Sequence, residues 1–501
     1  MKNHVLTLLL SLLLIISACA PAEKEIQSTD KARSTPEETG ISSRAILNFV
    51  EALEREQKDA IHSIMLRRHG KIVTEAWWAP FNPDSPHMLY SLSKSFTSTA
   101  IGIAQDEGLL SIDDQVISFF PYESPDDPSE NLKAMRIRDL LKMNSGHQSG
   151  TSGGMRQGKT WVEGFLTLEV QHKPGTHFVY NSGATYMLSA IIQKVTDMTL
   201  LDYLKPRLFE PLGIENPTWE SDPDGINVGG WGLSVKTEDI SRLGQLYLQK
   251  GNWNGKQLVS EDWVEEATSF QTSNGSNPDS DWEQGYGYQF WRCRHNFYRG
   301  DGAFGQFCIV MPDQDAVLAI TSGSSDMQAI MNIVWEHLLP GMEKNTLPPD
   351  DEGLKLLNDK LQGLAISTVK GEENSPNVSN ISGKTYIIEP NNLGIKSISF
   401  NLDSSPDVIT INSDGKQQSF NVGYMALEFG SLISSRFVSK DIAVSGAWES
   451  PDNYDVKIIY FETPYALEFT FQFKEDKLIW DMDQNVSFGP TQMEQLKGNA
   501  L

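Results

Sequence analysis

A serine and a lysine three positions apart carry the clearest chemistry in this chain. In Tyr90-Ser91-Leu92-Ser93-Lys94-Ser95-Phe96 the two side chains share one helical face, one turn from each other. A serine hydroxyl is a poor nucleophile until a base takes its proton. A lysine amine does so only where desolvation or a nearby cation lowers its pKa. A buried helix supplies that desolvation. Its N-terminal end also sets backbone N–H groups near Ser91, where a developing oxyanion needs them. Ser-x-x-Lys also arises by chance, as a capping serine with a surface lysine; the context argues otherwise. The pair follows an aromatic residue, Tyr90. It opens a helix running to about Glu107, with Phe96, Ala100, Ile103 and Ala104 on the buried face and Gly108 at the end.

Other patterns fail on context. Gly150-Thr151-Ser152-Gly153-Gly154 fits a nucleophile elbow, but no strand precedes it. Gly300-Asp301-Gly302-Ala303-Phe304-Gly305 fits a dinucleotide fingerprint, but Gln306 to Met311 reads as a strand where a helix must follow. The nine histidines include no metal-ligand spacing, so no metal is expected. No local signature supports a Ser-His-Asp triad.

The reactive pair must be held by elements on either side. A helix is expected over Ser42 to Glu56, then a hairpin, Ile64–Arg68 and Lys71–Trp77, turning at His69-Gly70. Helices and loops fill the middle. Strand patterns return at Gly287–Cys293, Gln306–Met311 and Ala316–Thr321, followed by a helix over Met327–Leu339. Strands at both ends with helices between predict an α/β (α+β) sandwich: one antiparallel sheet with a helical insertion. Beyond Leu347-Pro348-Pro349 comes a short helix with Leu354, Leu357, Leu361 and Leu364 at helical spacing. A polar linker follows, then short alternating segments after Ser382. About eight such strands imply an all-β barrel or sandwich. The expected organisation is therefore a leader (1–18), a tether (19–38), a catalytic domain (39–345), a helix with linker (346–381) and a barrel (382–501).

The chain has 501 residues and a net charge of −25, which disfavours nucleic acid as a partner. Three cysteines are too few for a disulfide-stapled scaffold. Cys293 and Cys308 lie in strand-like stretches separated by a turn, so a disulfide and two buried thiols both remain open. Val5 to Ile16 is an apolar run after Lys2, too short to span a membrane comfortably. It ends in Ile16-Ser17-Ala18-Cys19, which resembles the lipobox of bacterial lipoproteins. That resemblance implies lipidation at Cys19 and a membrane-anchored, periplasmic protein, with Ala20 suggesting outer-membrane sorting.

Ser91-x-x-Lys94 in this setting resembles the serine β-lactamase and penicillin-binding-protein superfamily. The class C-like branch, with its esterases, D-amino-acid peptidases and 6-aminohexanoate-dimer hydrolase, is the most similar. Supporting stretches are Pro36–Ser42, Ile137–His147 and Gly229-Gly230-Trp231-Gly232-Leu233-Ser234. The family's second element, Tyr-x-Asn after a Pro-Gly turn, is matched by Tyr180-Asn181-Ser182. The resemblance makes Tyr180 a proton shuttle, with Ser182 where Asn is usual and Asn181 one place early. The third element, Lys or His-x-Gly, aligns with Gly300-Asp301-Gly302, so its cation is missing. The resemblance gives the second oxyanion N–H to Ala303, beside that of Ser91, with Gly302 allowing close approach to substrate. Trp231 and Tyr122 are candidates to line an acyl slot. The implied activity is cofactor-free hydrolysis of a small ester or linear amide through an acyl-enzyme. A D,D-peptidase or β-lactamase, and a non-catalytic binding lipoprotein, are the alternatives. The C-terminal part resembles lipocalin-like domains appended to this family.

Overall fold

The computed structural model describes residues 32–413, 415–433 and 441–501. Helix α1 (Ser43–Glu56) leads into the hairpin β1 (Ile61–Arg68) and β2 (Lys71–Trp77), as the alternation predicts. Helix α2 (Ser93–Asp106) carries the lysine. Helices α3 (Ser182–Thr196) and α4 (Thr237–Leu248) complete the main helical insertion. The chain then returns through β3 (Trp291–Arg292), β4 (Tyr298–Gly302), β5 (Gln306–Met311) and β6 (Ala316–Ser322) to helix α5 (Met327–Ile333).

These strands form one six-stranded sheet in the order β2-β1-β6-β5-β4-β3, with antiparallel pairing throughout. Strand β1 is buried along its whole length because both faces are covered. Ile64 and Leu66 face Phe49, Val50 and Leu53 of α1 and Ile330 beyond them. Met65 points the other way, into the core shared with Ile240 and Leu243 of α4. The period-two strand thus welds two helical layers into a sandwich. Helix α4 comes close enough that a Cβ on Gly244 would meet Val317 at 2.4 Å and Cys308 Sγ at 2.8 Å.

The two thiols are consequently unpaired. Cys308 packs in the α4-side core and Cys293 in the α1-side core, both buried and free. Strand β4 is absent from the alternation reading and is placed only by the resemblance, at Gly300-Asp301-Gly302. Its Tyr-Arg-Gly-Asp-Gly sequence lacks strand-forming apolar alternation, yet it is fully buried, with Arg299 and Asp301 paired side by side. The segment expected as Gly287–Cys293 contracts to β3 alone.

Helix Asp351–Gln362 packs on α1 through Leu357. The C-terminal part is a ten-stranded antiparallel sheet, nearly closed into a barrel. Its first strand, Thr385–Ile388, pairs with its last, Leu496–Ala500. The edges, Lys416–Val422 and Glu428–Ser431, are consecutive in sequence. Inward residues such as Tyr386, Phe400, Phe471 and Trp480 form its core.

Candidate active site

Ser91 sits on a 3₁₀ turn, Tyr90–Leu92, that runs directly into α2. Lys94 lies in the first turn of α2 and is only 1% exposed. Its Nζ is 2.9 Å from Ser91 Oγ, 2.9 Å from Ser182 Oγ and 2.6 Å from the Gly230 carbonyl oxygen. Burial brings the Lys94 amine down from 10.5 to about 7, against the opposing pull of Asp301. The spacing read in the sequence is therefore realised as a contact.

Tyr180 comes from the loop before α3. Its ring stacks on Trp291 with centroids 5.2 Å apart, and Lys94 Nζ lies 4.9 Å from its centroid. Burial and the Asp301 charge raise the phenol well above 10, while Ser91 and Arg299 pull the other way. Ser182 faces the amine, as described. Asn181 does not face the cavity, which corrects its assignment as a substrate-binding residue. It is 0% exposed. Its Oδ1 accepts from Gly183 N–H, capping α3, and from the backbone and hydroxyl of Thr151.

Gly302 is also corrected. A Cβ there would sit 1.9 Å from Leu89 O and 3.1 Å from Leu92 N. The close approach is to the turn bearing Ser91, not to substrate. Ala303, one residue on, borders the cavity. Trp231 lines it as expected, whereas Tyr122 is 93% exposed and lies outside it. Cys19 lies outside the described residues. Among those described, no group of three or more His, Cys, Asp or Glu side chains is placed to hold a metal ion.

The cavity above Ser91 measures about 770 Å³. Six aromatic side chains line it: Tyr90, Tyr180, Trp231, Trp282, Trp291 and Phe488. Two charged side chains reach it, Arg156 and Asp301. Asp301 Oδ2 accepts from Arg299 Nε at 2.9 Å, and Arg299 Nη2 lies 2.8 Å from the same oxygen. The guanidinium lies over Trp282 at 4.3 Å. Burial pushes the Asp301 carboxyl up, while Arg299 and Lys94 draw it down.

Besides the cavity residues Arg156, Trp282 and Trp291, the sequence reading missed three participants for different reasons. The Gly230 carbonyl orients the amine, but a backbone oxygen has no residue signature. Asp301 was seen only as a missing cation, though Arg-Gly-Asp alternation places both charges on one strand face. Phe488 comes from the barrel, and nothing near it in sequence signals a site.

A family model described as Beta-lactamase matches residues 50–333, more than half of the chain. The chain belongs to the beta-lactamase family. This beta-lactamase-family chain is 24% identical over 325 residues to 6-aminohexanoate-dimer hydrolase of Paenarthrobacter ureafaciens, covering 58% of this chain and 80% of that one. It is 27% identical over 161 residues to lovastatin esterase of Penicillium rubens, covering 27% and 40% of the two. A solved putative beta-lactamase from Bacteroides dorei shares the fold, with TM-score 0.50 and 14% identity, over 59% of this chain and 99% of that one.

Proposed function

We propose that this beta-lactamase-family protein is a serine hydrolase that cleaves a neutral ester or linear amide through an acyl-enzyme on Ser91. The observation that carries this reading is the 2.9 Å contact between Lys94 Nζ and Ser91 Oγ, with the amine brought to about 7 by burial. Gly230 O and Ser182 Oγ engage the two N–H groups of the neutral amine. Its lone pair is then left for the Ser91 hydroxyl. As Lys94 takes that proton, Ser91 Oγ bonds to the substrate carbonyl carbon. The N–H groups of Ser91 and Ala303 meet the oxyanion.

The resemblance gives Tyr180 two roles, to help activate the serine, which needs a phenolate, and to protonate the leaving group. Its raised pKa favours a phenol instead, so its role is to donate a proton to the leaving group as the scissile bond breaks. Lys94 then reprotonates Tyr180. Water then enters where the leaving group was: Lys94 takes its proton as its oxygen bonds to the acyl carbon, and the bond to Ser91 Oγ breaks as Lys94 returns the proton to Ser91, releasing the acid. No step calls for a metal or cofactor.

The aromatic walls suit an apolar acyl or leaving group. Asp301 brings an acid to the third element, so a substrate carboxylate finds no cation there. That favours esters and linear amides over β-lactams. The two relatives, a 6-aminohexanoate-dimer hydrolase and a lovastatin esterase, are hydrolases too.

A fluorophosphonate probe is expected to label the wild type, and Ser91→Ala to lose both labelling and ester turnover. Ester cleavage persisting in Ser91→Ala refutes the assignment. Stable acylation by penicillin, with no turnover of simple esters, replaces it with the D,D-peptidase reading.

A further inference from the structure

Two non-glycine residues with left-handed backbone flank the site. Tyr90, at φ 49°, immediately precedes Ser91; Phe304, at φ 66°, immediately follows Ala303. Bulky L-residues hold this conformation only where their surroundings over-determine it. Each therefore sits beside one of the two N–H groups assigned above to the oxyanion. The inference rests on that assignment.

What holds them comes from the barrel. The Tyr90 hydroxyl hydrogen-bonds the Tyr465 hydroxyl. The Tyr90 and Phe304 rings meet edge-on at 5.5 Å. Tyr465 lies against them at 6.4 and 5.9 Å, and Phe488 at 5.6 and 4.9 Å. Four rings, two from each part of the molecule, thus form one cluster. Phe488 is 76% exposed and is not among the residues of the barrel's own core. Burial within the barrel therefore does not explain its position.

The barrel loops that bring these rings are themselves fastened beside the site. Met88 N–H donates to Glu462 O at 2.9 Å, two residues before Tyr90. Asn485 Nδ2 lies 3.3 Å from Gly323 O and donates to Pro464 O at 2.8 Å, tying both loops to the end of β6. On the catalytic side, Ser322 Oγ and Ser324 N–H both donate to Phe304 O, at 2.7 and 3.0 Å. Phe304 is thus gripped by backbone on one side and by barrel rings on the other.

We propose that the barrel is a positioning element of the active site: Tyr465 and Phe488 hold Tyr90 and Phe304 in their left-handed conformations and so fix the two oxyanion N–H groups. Neither residue touches the reacting atoms. Their effect belongs in the transition state, where those N–H groups act.

The test uses the full chain with Tyr465→Phe, Phe488→Ala and the conservative Phe488→Tyr, each checked for wild-type circular dichroism and melting. Three quantities are read: the fluorophosphonate labelling rate, kcat and KM on a p-nitrophenyl ester, and the affinity for a boronic acid that mimics the tetrahedral state. Losing a whole oxyanion donor costs on the order of 10²–10³ in kcat; loosening its support is expected to cost about tenfold. Labelling and boronate affinity should fall by the same factor, KM should stay within about twofold, and Phe488→Tyr should recover most of the loss. Rates and boronate affinity unchanged in Tyr465→Phe and Phe488→Ala overturn the proposal. A rise in KM alone also overturns it, leaving Phe488 with no role beyond its place in the cavity wall. If Phe488→Ala misfolds, Tyr465→Phe, which keeps the ring and removes only the hydroxyl, decides the matter. Turnover surviving in Ser91→Ala brings down the underlying hydrolase reading, a failure distinct from that of the clamp.

Discussion

The proton on Lys94 governs the chemistry at the scale of single residues. Its amine is base only when neutral, and burial places that transition at about 7. Catalysis is therefore expected to rise with pH through about 7 and level off above it, since deprotonation creates the active form. At pH 6 kcat/KM for a neutral ester should be about tenfold below the plateau, following the neutral fraction of the amine. A pH–rate profile flat from about pH 5.5 to 8.5 removes Lys94 from the role of base. Ser91 and Lys94 were legible because helical geometry turns sequence spacing into contact. Tyr180 was legible as a participant but not in its protonation, because burial, and then Asp301 from a distant strand, raise its phenol. Asn181 and Ser182 were both candidates, and only the start of α3 decides between them. One caps the helix from inside while the other turns toward the amine.

Among elements, α2 shows where periodicity stops being informative. An apolar stripe was expected at Phe96, Ala100, Ile103 and Ala104, yet every residue from Ser93 to Ala104 is buried. The hydroxyls make this possible by donating inward: Thr97 to Gly229 O at 2.9 Å and Ser98 to Tyr288 O at 2.7 Å. The barrel was legible from alternation, but two of its strands were not. Glu428–Ser431 is short and mostly exposed, and Leu496–Ala500 lacks β-branched and aromatic residues. Pairing with neighbours recruits them. Strand β4 is recruited likewise, and its end at Gly302 supports the nucleophile turn. Gly302→Ala would place a methyl 1.9 Å from Leu89 O, a backbone atom that cannot swing aside. The expected result is a loss of about 1–3 kcal/mol in chemical denaturation, as for other overpacked sites, together with a fall in kcat of tenfold or so as the turn shifts. Wild-type stability and rate in this variant contradict the close packing of β4 on the turn.

Over the whole molecule, the seating of the barrel beside the catalytic domain is the feature no local pattern announced, because its contacts are single residues scattered through loops. One of these, Met88 N–H to Glu462 O, lies next to a buried histidine pair. His62 Nδ1 and His87 Nε2 are 3.0 Å apart, and His62 stacks on Phe81 at 3.7 Å. Burial drives both below 6.5, His62 further through the charge of His87. A shared hydrogen bond needs one ring nitrogen as donor and the other as acceptor, so the pair is satisfied when neutral. The unfolded chain takes up protons at about 6.5 while the folded chain resists, so folding releases protons in that range. Their contribution to stability is full above about pH 6.5 and is lost as pH falls toward and below 4, by about 1.4 kcal/mol per pH unit for each group. Carboxylates titrate in the lower part of this window, so the comparison must be with His87→Gln, which retains an amide donor and acceptor without the ionisation. Denaturation midpoints measured from about pH 7.5 to 4.5 should fall less steeply in that variant, the two curves converging as pH drops. Parallel curves would mean that the histidine pair is protonated at no cost, and that acid sensitivity originates elsewhere in the fold.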